Sequence, residues 1–255
     1  MLSRGRAPIR GASSPIASSQ DQVCRTPNLR SLCLRKLIAS TFASLDGVMQ
    51  APGGPEEDPT GGFGFGGWMF SFADEDMDFS ASGFDGKDRE LVLGRRTYEI
   101  FEAYWPYQPS DHPIARTLNA ARKYVASRTL KVLDWHNSSV LEGEVVSAIA
   151  DLKAKPGLDL QVIGSGNLLH TLQGASLVDE YNLWTFPVVL GRGKRLFSAA
   201  ASPSSLQLVR TQVSKSGVVM STYATAGEVR PGSFAGTVVS EKELARRKKI
   251  AGGNW

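Results

Sequence analysis

The chain has 255 residues, 42% of them apolar and 9% aromatic, enough to bury a sizeable core in one large domain or two small ones. Its net charge of +4 is uneven: residues 1–36 sum to +6, residues 226–255 to +3, and the stretch 37–225 is left at −5. A mildly acidic body argues against a nucleic-acid partner, and no apolar run approaches the ~18 residues of a membrane span. Cys24 and Cys33 both lie in the first segment, so the body has no means of forming a disulfide or a cysteine metal site, which fits a reducing, cytoplasmic compartment. His112, His136 and His170 lack ligand spacing, and no metal is expected.

Residues 1–35 are rich in Ser, Arg, Pro and Ala, with no apolar periodicity before Leu32. Two readings fit them: a disordered extension from an upstream start, or an Arg-rich, acid-poor mitochondrial transit peptide. Lys36–Ser44 reads as a strand. Carboxyl ends of strands are where open α/β sheets bind ligands, which places Ala43, Ser44 and the Asp46-Gly47 turn beside the reactive ring of a cofactor. The alternative there is an ordinary Asp-Gly turn. A glycine-rich loop follows, and Gly61-Gly62-Phe63-Gly64-Phe65-Gly66-Gly67-Trp68 reads either as a mobile segment able to close over a flat heterocycle, with Trp68 against the substrate, or as a disordered insertion. Weak helical character spans Ala73–Ser82. Within it, Asp74-Glu75-Asp76-Met77-Asp78 supplies four carboxylates, one of which could protonate a ring nitrogen or anchor an amidine-like group.

The strand Leu91–Leu93 then empties into Gly94-Arg95-Arg96-Thr97, and a helix over Thr97–Tyr104 stops at Pro106. Glycine lets a phosphate approach the backbone, the new helix presents unpaired N–H groups and a positive dipole end, and guanidiniums grip phosphate oxygens. A strand over Lys123–Ser127 ends in Ser127-Arg128-Thr129, a cluster suited to a ribose 2′-phosphate and a reason to expect NADP rather than NAD. After a short strand at Ser138–Leu141 and a helix over Glu142–Lys155, the strand Leu160–Ile163 meets a second anion turn, Gly164-Ser165-Gly166-Asn167-Leu168. Leu169 stands where a Gly-x-Gly-x-x-Gly fingerprint has its third glycine, so a standard Rossmann site is not expected. A helix at Leu168–Gln173, a long strand at Glu180–Leu190, a hairpin of Leu206–Val213 with Val218–Ala224, and a solvated helix at Glu241–Ile250 complete the pattern. Alternation followed by a hairpin predicts one α/β domain over 36–225, a mostly parallel sheet with an antiparallel edge, and a tail from 226 to 255.

The order of these pieces resembles the dihydrofolate reductase-like superfamily, and within it the reductase domain of bacterial riboflavin-synthesis enzymes and its stand-alone relatives. The matching stretches are Ser44-Leu45-Asp46-Gly47, LVLGRRTYE at 91–99, Tyr124-Val125-Ala126-Ser127-Arg128, VIGSGNLLHTL at 162–172 and VDEYNLWTFPVVLGRGKRLF at 178–197. The resemblance implies a three-layer fold around an eight-stranded, mostly parallel sheet, an NADPH cofactor and a homodimer. It carries cofactor contacts onto Gly94, Arg95, Arg96, Thr97, Ser127, Arg128, Gly164, Ser165, Gly166, Asn167 and Leu168. Asp46 and Asp78 are the candidate catalytic carboxylates; Asp78, sixteen residues before Gly94, matches by position the carboxylate of folate enzymes. Folate enzymes have Trp-x-x-Pro before that helix, whereas Trp68 here is followed by Met69-Phe70-Ser71, which argues against a housekeeping folate role. The expected activity is NADPH-dependent hydride transfer to a pyrimidine- or pterin-like small molecule. The alternatives are a dihydrofolate reductase and a non-catalytic NADPH-binding protein.

Overall fold

The computed structural model describes residues 34–74, 88–197, 201–234 and 239–253. Eight strands form one sheet: β1 (Leu37–Ser44), β2 (Glu90–Gly94), β3 (Lys123–Ala126), β4 (Ser138–Val140), β5 (Leu160–Ile163), β6 (Glu180–Phe186), β7 (Leu206–Val213) and β8 (Val219–Thr225). Five α-helices accompany them among the described residues: α1 (Arg95–Glu102), α2 (Pro113–Ala120), α3 (Val145–Ala154), α4 (Gly166–Gly174) and α5 (Glu241–Ala251). Strand order is β4-β3-β2-β5-β1-β6-β8-β7, parallel from β4 through β6. The antiparallel strand is β8, which returns beside β6 and carries β7 on its outer side, so it lies one place in from the edge.

Side-chain alternation explains the layers. Odd positions of β1 (Leu37, Ala39) join Val92, Leu160, Val162 and Tyr181 on one face, covered by Ile149 of α3 and Leu168, Leu169 and Leu172 of α4. The opposite face is divided. Leu91, Leu93 and Val125 pack with Tyr98 of α1, Leu118 of α2 and Trp135; Trp184, Phe186 and Met220 pack with Val48, Phe63 and Trp68 from the long loop after β1. Across the strands runs a buried polar ladder. Gln161 donates to Ser40 Oγ (2.9 Å), Asn182 Nδ2 meets the same oxygen (3.5 Å), and Thr222 donates to Asn182 (2.8 Å). Arg210 Nε closes the row on Thr222 Oγ1 (3.1 Å). Shifting any strand by one residue would strand these groups against apolar neighbours, so the ladder fixes register.

Three elements depart from expectation. The segment 113–120 is helical although its apolar spacing is short; His112 caps it, with Nδ1 accepting the Ala115 N–H, and Pro113 starts it with its favourable φ. The strand expected to reach Leu190 stops at Phe186, because Pro187 has no N–H to continue the ladder. The helical character at 73–82 falls almost wholly outside the described residues; what precedes it is a 3₁₀ turn, Trp68–Phe72.

Two ion clusters hold the sheet ends. At the amino ends, buried Arg35 pairs with Glu90 (2.5 Å), donates to the Leu158 carbonyl, and shares Glu90 with the Tyr124 hydroxyl (2.9 Å). Arg35 is therefore part of the folded body, one residue before the boundary expected at 36. At the carboxyl end of β1, Asp46 accepts from the Ser44 hydroxyl (2.7 Å) and from the amides of Leu190 and Gly191 (both 3.0 Å), and pairs with Arg195 (3.2 Å). The Ser44 hydroxyl first, then the Leu190 amide, holds its carboxyl down to about 2.

Removing one partner of a buried pair leaves the other uncompensated, so Arg35→Ala should lower unfolding free energy by about 3–5 kcal/mol in urea titrations; a loss below ~1 kcal/mol would show that Arg35 is dispensable. Asp46 ionises at lower pH when folded than when unfolded, so its stabilisation is complete above about pH 4 and vanishes as pH falls toward 2. Asp46→Asn should melt earlier than the native chain at pH 7, and the two melting curves should converge as pH is lowered through that window.

Candidate active site

One cleft of about 1500 Å³ opens along the carboxyl ends of β1, β2, β3 and β5. Its floor is Ser40, Thr41 and Phe42 of β1. One wall is built from the loop 49–58 with Met69 and Phe70; the opposite wall begins at α1 and continues to Tyr104, Trp105 and His112. The turns 94–97, 126–129 and 163–168 meet in the same cleft, so both anion turns anticipated from sequence, together with Ser127 and Arg128, share it.

Local geometry explains that convergence. β5 lies between β2 and β1 in parallel register, which brings their ends to one level. Gly164 and Ser165 both take left-handed backbone (φ 57° and 56°), turning the chain sharply from β5 into α4; a β-carbon at position 164 would be strained. Ser165 Oγ accepts the Gly94 N–H (3.0 Å) and donates to Thr97 Oγ1 (2.9 Å), stitching the two turns together. Because that hydroxyl is used there, it does not cap α4. α1, α3 and α4 all begin on the cleft, none has a side-chain cap, and none has an acidic residue in its first turn. By contrast α2 and α5 are capped by His112 and Ser240.

The arginines differ in their commitments. Arg95 pairs with Glu99 one turn along α1 (3.1 Å), and Arg96 reaches across to Thr60 Oγ1 (3.3 Å). Arg128 is exposed on the rim, and no hydrogen bond or ion pair engages it among the described residues. Ser127 Oγ accepts the amides of Thr129 (3.2 Å) and Leu130 (3.0 Å), shaping the loop that presents Arg128.

Other expected residues lie elsewhere. Ala43 and Ser44 are buried outside the cleft lining, and Ser44 Oγ is engaged by Asp46 and the Val48 amide. Asp46 clamps the turn after β1 to the 190–195 loop and does not line the cleft. Trp68 is a core residue: its Nε1–H bonds the Gln50 carbonyl (2.8 Å) and its ring packs edge-on to Phe186 (5.3 Å). The glycine-aromatic segment 61–67 lies outside the cleft lining, with Gly61, Gly62 and Gly64 exposed. Phe63 is buried, Phe65 lies under Arg192, and a β-carbon on Gly66 would sit 2.4 Å from the Gly54 carbonyl. Asp78 lies outside the described residues.

Several cleft residues carried no local signal. Lys194 pairs with Asp58 and bonds Thr60 Oγ1 (2.9 Å), while Gln50 Nε2 bonds the carbonyls of Asp58 and Thr60 (both 2.9 Å). These contacts hold the 50–60 loop in place as a wall. On that wall Glu57 accepts the Gly53 N–H (2.6 Å), and burial raises its carboxyl above the ordinary range.

Comparison with known proteins agrees with this architecture. Uncharacterized protein YyaP of Bacillus subtilis (strain 168) is 28% identical over 192 residues, covering 74% of this chain and 94% of YyaP. Uncharacterized protein YwjB of the same organism is 25% identical over 178 residues, covering 70% and 91%. The crystal structure of a putative riboflavin biosynthesis protein from Shewanella sp. PV-4 superposes with a TM-score of 0.57 at 23% identity, covering 75% of this chain and 99% of that one, which shows a shared fold. Residues 35–220 match the model of the RibD C-terminal domain, and the chain belongs to that reductase-like family.

Proposed function

We propose that the protein is an NADPH-dependent reductase that delivers hydride to a pyrimidine- or pterin-like substrate. The observation that carries this reading is the pair of uncapped helix starts, α1 and α4, that open on one cleft lined by Arg95, Arg96 and Arg128. Each start offers unpaired N–H groups and a positive dipole end, and the turns at 94–97 and 164–168 lie side by side on the cleft, joined through Ser165. The left-handed Gly164-Ser165 turn keeps the approach to α4 clear of side chains, which fits a pyrophosphate against the backbone. When bound, the nicotinamide supplies the hydride.

The chain's own residues then do the remaining work. Ser165 and Thr97 fix the relative position of the two phosphate turns; Phe42 supplies apolar surface on the floor for a flat ring, and Met69 and Phe70 stand on the wall beside it. Arg128 is the better placed reader of a 2′-phosphate, since Arg95 already shares its charge with Glu99.

Thermal melts with saturating ligand test the cofactor: at about 100 times the dissociation constant a ligand adds roughly 2.7 kcal/mol, so NADPH should raise the melting temperature clearly and NADH little. No shift with either would overturn the reading. Arg128→Ala should weaken NADPH roughly 10- to 100-fold and NADH by much less, as expected for loss of a charged hydrogen bond, while Arg95→Ala should have the smaller effect. Equal loss for both dinucleotides would remove Arg128 from the 2′-phosphate.

A further inference from the structure

The C-terminal helix α5 holds itself together with its own residues and packs none of them into the core. Ser240 caps it, its Oγ accepting the Glu243 N–H (3.2 Å). Glu241 and Glu243 lie in its first turn and Lys248 and Lys249 in its last, each set matched to the helix dipole. Glu243 accepts two bonds from Arg246 (2.6 and 2.7 Å) and one from Arg247 (2.9 Å). At the far end the Gly252 and Gly253 amides bond the Lys248 and Ile250 carbonyls (both 3.0 Å). None of its residues is buried or belongs to the three apolar clusters of the sheet. A helix with both ends satisfied and no face covered by its own domain is a preformed surface for another molecule.

Charge and shape decide which molecule. Five cations against two carboxylates give the eleven residues of α5 a net charge of +3, on a chain whose body is acidic. That acidity is why no nucleic-acid partner is expected of the body, and α5 stands outside it. Arg246, Arg247, Lys248 and Lys249 are consecutive, so at about 100° per residue they point to all sides of the helix. Leu244 and Ile250 are exposed, six residues apart and on different sides, so no apolar face forms. A bilayer meets one side of a helix and needs that apolar face. A groove between two phosphate strands meets opposite sides at once and needs none. Lys242, Lys248 and Lys249 are exposed, and no ion pair engages them among the described residues. We propose that α5 docks in the major groove of duplex DNA, its cations neutralising phosphates of both strands without regard to base sequence. The inference does not depend on the reductase reading.

Fluorescence anisotropy of a labelled DNA duplex of about 20 base pairs with the full chain tests this. Three or four neutralised phosphates give a slope of log affinity against log salt of about −2.7 to −3.6, so raising salt from about 50 to 200 mM should weaken binding roughly 40- to 150-fold. Replacing Lys248 and Lys249 together (Lys248→Ala with Lys249→Ala) should cut the slope by about 2 and weaken binding at least tenfold at the lower salt. Alanine keeps the helix, which circular dichroism checks, and the pair lies outside the cleft, so any NADPH-induced melting shift should be unchanged. An RNA duplex of equal length should bind several-fold more weakly, because its deep, narrow major groove does not admit a helix. No DNA binding at the lower salt, or affinity unchanged in the double variant, would overturn the proposal. Equal affinity for both duplexes would remove the groove, and binding to phosphatidylserine vesicles without binding to DNA would assign α5 to a membrane surface instead.

Discussion

The hydroxyl of Ser165 is the fastening on which the cleft depends. It takes the Gly94 N–H and reaches Thr97, so the exits of β2 and β5 are locked to each other before any ligand arrives. Parallel strands bring loops to the same level, but level alone leaves each loop free to choose its own shape. A side-chain oxygen bridging two adjacent exits removes that freedom and, by being engaged there, leaves the α4 start without a cap. One atom thus serves both rigidity and the exposure of helix N–H groups, which is how a site can be preorganised without filling itself.

What could be read in the sequence follows from the range of the interactions involved. The strand–glycine–helix turns at 94–97 and 164–168 are local objects, and their placement required only that β2 and β5 be neighbours. Ser127 and Arg128 were legible for the same reason. Asp46 was not: an Asp-Gly turn announces a polar group but not its direction, and the amides of Leu190 and Gly191 that capture it lie some 144 residues away in sequence. Trp68 followed the same logic, since the Gln50 carbonyl and Phe186 decide that the indole points inward while Met69 and Phe70 turn toward the cleft. α2 was overlooked because its eight residues carry barely two turns of periodicity, and a histidine is an unusual cap. Glu57 sat unnoticed in a run of acidic residues, where only the distant pairing of Asp58 with Lys194 separates one carboxylate from the next.

Charge is distributed along the cleft with more order than the composition suggests. The body between the tails is net acidic, yet Arg95, Arg96 and Arg128 line the cleft beside the α1 and α4 starts and make that region attractive to anions. The wall at 56–58 carries three carboxylates, with Lys194 paired to Asp58 and Arg96 reaching Thr60 beside it.

The four indoles of the described residues fall into two groups. Trp68 and Trp184 are buried together beneath the β6 and β8 side, whereas Trp135, buried against Tyr98 and Lys123, and half-covered Trp105 on the cleft wall share the β3-side cluster and both meet Phe101. Among the described residues no tryptophan lies in the helix-covered face that α3 and α4 share with the sheet. These four indoles therefore report on two neighbourhoods of the opposite face, so a chain keeping one of them at a time would report loosening of one half of the sheet independently of the other.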